Sequence, residues 1–314
     1  MIRYLLGRLV AAVPVMLLVS TSVFLLLFLT PGDPVATILG SDASPERVQE
    51  LRTRLGLDEP VPLQLAHWYG RLLQGDLGTS LFLNQPVTQA IAQRAEPTLL
   101  LTLFSTALAL TIGIPIGLIA AARKGTWTDL VAMLVGLAGV SMPTFWVGLN
   151  LIFVFAVLLN WLPVAGYAPL SGGPSETLRY LLLPAVTLAF PQAALLARMT
   201  RSVMLDTLGD DYIRTARSKG LREYRVLFLH AFRNALIPLA TVLGLIVAVL
   251  LGGAVVTEQV FNIPGVGRLL VQAVGRRDYP LVQGVVLVIA AVYVFVNLAV
   301  DLAYGILDPR VRYR

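Results

Sequence analysis

The charged side chains able to make specific contacts are gathered in one interval. From Arg198 to Arg233 the chain reads RMTRSVMLDTLGDDYIRTARSKGLREYRVLFLHAFR, eight Lys or Arg against four acids, with membrane-length apolar sequence on either side. Asp210 and Asp211 are placed to cap a short helix at its positive end, and Ile213, Ala216, Arg217 and Gly220 follow at helical spacing. Gly220 reads as a left-handed stop. A second helix is expected to open at Leu221 and to run through Arg225, Val226, Leu229 and Arg233 toward Pro238. Helix, tight turn and helix make a knob that can project from a membrane. Ala216 and Gly220 are small enough for a partner's backbone to come close, and Arg214, Arg217, Lys219 and Arg222 offer ionic contacts around that point. The alternative is a basic loop that obeys the positive-inside rule and does nothing more.

A second set of polar residues lies inside the apolar runs: Ser141, Asn150, Gln192, Asn297 and, at the end of the last run, Asp301. Asn150 and Gln192 could line a path for a substrate with amide groups, or hold helices together. None of the mid-run positions is ionisable, which argues against a proton-relay pump or a stand-alone ion-coupled carrier.

Other chemistries lack their residues. No G-x-x-x-x-G-K-[ST] phosphate cradle, H-E-x-x-H or G-x-S-x-G occurs, so the sequence gives no basis for ATP hydrolysis, zinc hydrolysis or serine catalysis by this chain. There is no cysteine, and the two histidines, His67 and His230, are far apart, which disfavours a metal or haem site. No selectivity-filter sequence or charged ring supports a channel. A membrane protein with an inward knob and no engine implies an engine on a separate chain.

These groups must be held by helices in lipid. Of 314 residues 57% are apolar and 13% charged, with a mean hydropathy of +0.78, too greasy for a soluble domain. The fold class is all-α and polytopic. Six spans are expected, at 9–30, 98–121, 130–158, 180–199, 236–257 and 281–301. Each meets the requirement of about 20 apolar residues, and each must be helical because lipid offers backbone groups no other partner. The first follows a basic start and is read as a retained anchor rather than a cleaved signal. Pro14, Pro115, Pro143, Pro184 and Pro191 lie within spans and can kink them, as hinges or as ordinary membrane prolines.

Short-loop charge sets the orientation. Arg3, Arg8, Arg123, Lys124, the eight bases of the central interval, Arg310, Arg312 and Arg314 would share one side, against Arg179, Arg268, Arg276 and Arg277 on the other. The richer side is the cytoplasm, with both termini and the knob. The net charge of +6 and pI near 9.8 are thereby explained by topology, without a nucleic-acid partner. Three segments follow: an anchor helix at 1–30, an exterior loop domain at 31–97, and a five-helix core at 98–314 containing the loop at 200–235. In the exterior domain, SPERVQELRTRLGL reads as a helix capped by Ser44, opened by Pro45 and ending near Gly56; PLQLAHWYGRLLQG reads as a second.

DDYIRTARSKGLREYRVLFLHAFRNALIPLAT resembles the cytoplasmic coupling loop of permease subunits of peptide-type ABC importers, which serve dipeptides, oligopeptides, glutathione and, in some members, nickel. The start RYLLGRLVAAVPVMLLVSTSVFLLLFLTPGDP, the stretches LPAVTLAF and GGAVVTEQVFNIPGVGRLL, and the end LAVDLAYGILDPRVRYR are similar too, so the resemblance spans nearly the whole chain. The wider superfamily writes this loop around Glu-Ala-Ala with a glycine four residues on. Here Ala216 and Gly220 keep that spacing, but Arg214 and Thr215 stand where Glu and Ala would, so the glutamate's role does not carry over.

The resemblance implies a type I importer permease fold with six transmembrane helices and an ordered exterior loop after the first. It implies half of a translocation path in the cell's inner membrane, paired with a second, homologous permease as a heterodimer. It also implies two ABC ATPase subunits, which would hold the ATP and magnesium while this chain binds no cofactor, and an extracytoplasmic substrate-binding protein delivering peptide. Asp211, Arg214, Ala216, Arg217, Lys219, Gly220 and Arg222 would couple to the ATPases. Glu258 to Gly267 would lie near the outer mouth, with Ser141, Asn150, Gln192, Glu258 and Phe261 as path candidates, although Phe261 and Pro264 are as readily packing residues.

Overall fold

The computed structural model describes residues 2–29, 44–54 and 57–307. The expected helix end at Gly56, residues 30 to 43, and Arg310, Arg312 and Arg314 lie outside the described residues. Eleven α-helices are used below: α1 Ile2–Leu29, α2 Pro45–Arg54, α3 Val61–Leu73, α4 Val87–Ala122, α5 Trp127–Ser141, α6 Thr144–Leu151, α7 Pro174–Leu208, α8 Asp211–Ser218, α9 Arg233–Val260, α10 Val266–Gly275 and α11 Tyr279–Leu307. Among the described residues no strand forms, only an isolated bridge between Thr79 and Pro86.

Among the described residues five helices are long and apolar enough to cross a membrane, and a sixth crossing exists if the bent pair α5 and α6 is one span. That pair corrects the expected continuous helix at 130–158. Met142 is extended because the following proline disfavours the helical region, Pro143 has no N–H to donate, and the axis turns by 104°. Pro14, Pro115, Pro184 and Pro191 sit inside continuous helices. A π-helical stretch, Ile152–Leu158, finishes the broken span, and Asn160 then takes positive φ.

The chain forms two compact units. One comprises residues 97–263 with the ends of the chain up to 5 and from 295. Its centre is α7, which packs against α5, α6 and α9 and is buried along most of its length. Small residues allow the closest approaches. A Cβ on Gly117 of α4 would lie 2.5 Å from the Ala197 carbonyl oxygen, and one on Gly113 2.8 Å from that of Ala193. Backbone contact of this kind stands in for the hydrophobic driving force that helices lack in lipid.

The other unit comprises residues 6–96 and 264–294. Helices α2 and α3 form where the sequence predicts, with the Arg47 amide donating to Ser44 Oγ at the start of α2. Trp68 of α3 is buried with Phe24 and Leu287, and the Tyr69 hydroxyl bonds Ser20 and Thr21, each at 2.8 Å. Asp278 is buried and accepts from Ser80 Oγ at 2.5 Å and the Phe82 amide at 3.1 Å, which fixes the loop before α4.

Candidate functional site

The basic interval divides into three parts. Arg198 and Arg201 belong to the continuous helix α7, α8 is the short helix expected after Asp210, and the second helix opens at Glu223 rather than Leu221. Arg222 is extended at its start. Glu223–Arg225 is α-helical, Val226–Phe232 is a π turn, and α9 follows without a break.

Asp210 stands at the N-cap of α8 with extended backbone, but its carboxylate makes no capping bond. Asp211 lies 3.4 Å from Arg214, with both side chains largely in solvent. Ile213 and Ala216 face inward and are buried with Val226, Ala231 and Ala235. The small side chain of Ala216 lets α8 approach its own chain.

Gly220 closes α8 with φ of +76°. The Gly220 amide donates to the Arg217 carbonyl at 2.9 Å and the Leu221 amide to that of Ala216 at 3.4 Å, the paired bonds of a Schellman stop. A Cβ on Gly220 would meet nothing within 4 Å, so the glycine is required by conformation and not by crowding within the chain. Arg217 reaches across the turn and grips Glu223 with two donors, at 2.7 and 3.2 Å. The same carboxylate raises the Arg217 guanidinium above its ordinary value, so it stays charged. Arg217 is therefore engaged inside the knob. Arg214, Lys219, Gly220 and Arg222 remain exposed around the turn.

The knob has another internal tie. The Tyr212 hydroxyl accepts from Asn234 Nδ2 at 2.8 Å and donates to the His230 carbonyl at 3.4 Å.

The path candidates differ in burial and in partners. Ser141 Oγ donates to the Leu137 carbonyl at 2.8 Å and Asn150 Nδ2 to the Trp146 carbonyl at 2.7 Å, each within its own helix and each on an exposed face. Gln192 is half-buried in α7. Glu258 is fully buried and accepts from Thr98 Oγ1 at 2.5 Å. Phe261 is buried beside Gly148, and its carbonyl accepts from the Gly166 amide at 2.8 Å. In this conformation Glu258 and Phe261 are packing residues and do not line an open path.

Sequence reasoning missed Asp129 and Arg201. Asp129, in the first turn of α5, is buried and held by Arg201 of α7 through two donors, at 2.5 and 2.8 Å, and by the Gly125 amide at 3.0 Å. Counting Arg201 among the loop bases hid it; its place 72 residues from its partner carries no local signal. Tyr212 and Asn234 were missed for the same reason.

Two family models match. The binding-protein-dependent transport system inner membrane component covers residues 113–313, and the N-terminal model of such membrane components covers residues 1–102. A putative peptide transport system permease protein of Brucella abortus is 50% identical over 313 residues, covering 100% of both chains. A probable peptide ABC transporter permease of Sinorhizobium fredii is 45% identical with 99% of each chain covered, and the glutathione transport system permease GsiC of Pectobacterium atrosepticum is 43% identical over 314 residues, covering 100% of each. Among solved structures, a chain of the inward-facing MetNI methionine ABC transporter aligns with a TM-score of 0.57 at 17% identity, covering 70% of this chain and 97% of that one. At that identity the likeness concerns the fold, which is that of a type I importer permease. By its family models and full-length relatives, the chain belongs to the binding-protein-dependent transport system inner membrane components, as a permease of the peptide-type ABC importers.

Proposed function

We propose that this chain is half of the translocation path of an ATP-driven importer for di- or oligopeptides, worked through the turn at Gly220. The observation that carries the reading is the exposed rim of Arg214, Lys219 and Arg222 on a helix and turn whose apolar side is already committed to the chain's own core. Such a rim suits an acidic cleft on a nucleotide-hydrolysing partner. Full-length identity to permeases named for peptide transport supports the cargo.

The working assembly has a second, homologous permease, two ATPase subunits that hold ATP and magnesium, and an extracytoplasmic binding protein. This chain holds no nucleotide. The short-loop charge bias puts both termini and the knob in the cytoplasm. ATPase closure moves the knobs, and the bundle switches between inward-facing and outward-facing packings.

Glutathione is the second cargo reading, favoured by the 43% identity to a glutathione permease over the full chain. The reconstituted assembly tests both. Trialanine and glutathione are offered separately with the neighbouring binding protein, with ATP and with hydrolysis blocked. ATP-dependent uptake of one of them is expected. Uptake that persists with hydrolysis blocked overturns the importer reading.

A further inference from the structure

On the importer reading above, we propose that Tyr212 is a positioning residue for coupling: its hydroxyl locks the knob helix α8 to the π turn at the foot of α9, so that displacement of the knob is delivered to α9. At eight residues α8 is too short to hold its shape alone, and its link to α7 runs through Gly209 and Asp210. Its side-chain packing goes forward, onto the π turn, through Ile213 and Ala216. Two small apolar contacts in one line leave a helix free to roll about that line. Tyr212 stands beside it and removes that freedom.

The place where it attaches is specific. His230 lies in the π turn and Asn234 in the first turn of α9, so one hydroxyl bridges the point where the backbone changes from π to α spacing. Such changes of spacing are where a helix can shift register. A hydroxyl that accepts from one side of that point and donates to the other holds one register.

The assembled transporter in lipid nanodiscs and liposomes tests this, with Tyr212→Phe, Asn234→Ala and the double variant. Amide hydrogen exchange over residues 213–219 is expected to rise about fivefold in Asn234→Ala, the worth of one net hydrogen bond, by at least that in Tyr212→Phe, which loses both, and no further in the double than in Tyr212→Phe. Trialanine moved per ATP is expected to fall by about the same factor with hydrolysis retained. Unchanged exchange in Tyr212→Phe overturns the tie. Uncoupling in Tyr212→Phe with exchange over residues 213–219 left at the wild-type rate also overturns it, because Tyr212 would then act on the partner directly; a milder Asn234→Ala is expected, since the bond to the His230 carbonyl survives there. A wild-type complex that hydrolyses ATP without moving trialanine sinks the peptide-importer reading and the coupling role with it, while the exchange result stands as a statement about the fold.

Discussion

Replacing Gly220 by valine separates the conformation of the turn from the space around it. The residue sits at φ of +76°, where a side chain costs about 1–2 kcal/mol and a β-branched one sits at the upper end. Beyond its chain neighbours nothing lies within 4 Å of the new Cβ, so backbone strain is the main penalty within this chain. That strain opposes the two Schellman bonds, and a shift of this size disfavours the native turn by about 5- to 30-fold. The rest of the fold does not depend on it, so insertion and yield are expected to match wild type. Substrate moved per ATP in reconstituted liposomes is expected to drop about tenfold, the midrange of that shift. Gly220→Asn is the control, because asparagine enters the left-handed region at little cost. It should behave close to wild type if conformation is what matters. Normal coupling in the valine variant would refute the turn's role. Equal damage from asparagine and valine would refute the conformational account and point to a partner's backbone lying against Gly220.

Further outcomes follow from the packing. Asp129→Asn removes the charge that Arg201 is held by; with Arg201 about a quarter exposed the loss is about 2 kcal/mol, below the about 3–5 kcal/mol of a fully buried pair, and thermal unfolding in detergent should fall by roughly 5 °C. Gly117→Val drives methyl groups into the Ala197 carbonyl and should abolish a monodisperse preparation, whereas Gly252→Ala, with open space at its Cβ, should be tolerated, as size-exclusion profiles will show. Arg217→Lys gives up the two-donor grip on Glu223, but both side chains are about half exposed, so stability should change by less than about 1 kcal/mol and the difference should vanish in high salt.

The spans were legible because lipid leaves the backbone no choice, and the helix stop at Gly220 because only one residue type enters that conformation freely. The break at Pro143 was not, since four other prolines inside helices look the same in sequence. Exposure does not separate them either: Pro184 is buried in α7, but Pro14 and Pro115 are as exposed as Pro143 and their helices run on unbroken. The burial of Ala216 was available in the pattern: it shares a stripe with Ile213 three residues earlier. Glu258 falls one residue beyond the expected end of its span, where a buried acid has no signature in hydropathy. The ties Arg217 to Glu223, Tyr212 to Asn234 and Asp129 to Arg201 cross turns or helices, and spacing rules cover only neighbours on one helix.

The ties in the knob differ in what each can bear. Burying the Ile213 side chain is worth about 1.5–3 kcal/mol, insensitive to salt. The exposed Arg217 and Glu223 pair is worth less than about 1 kcal/mol, and the Tyr212 hydroxyl about 1 kcal/mol. The apolar contact therefore keeps α8 attached to the foot of α9, and the polar ties decide only its rotation and the angle of the turn. A lever needs both, because attachment without orientation transmits a push in no fixed direction. Loss of a polar tie should accordingly leave a knob that stays docked, an ATPase that still turns over, and a smaller share of each stroke reaching α9. Loss of Ile213 should detach the knob altogether, and no change of salt should restore it.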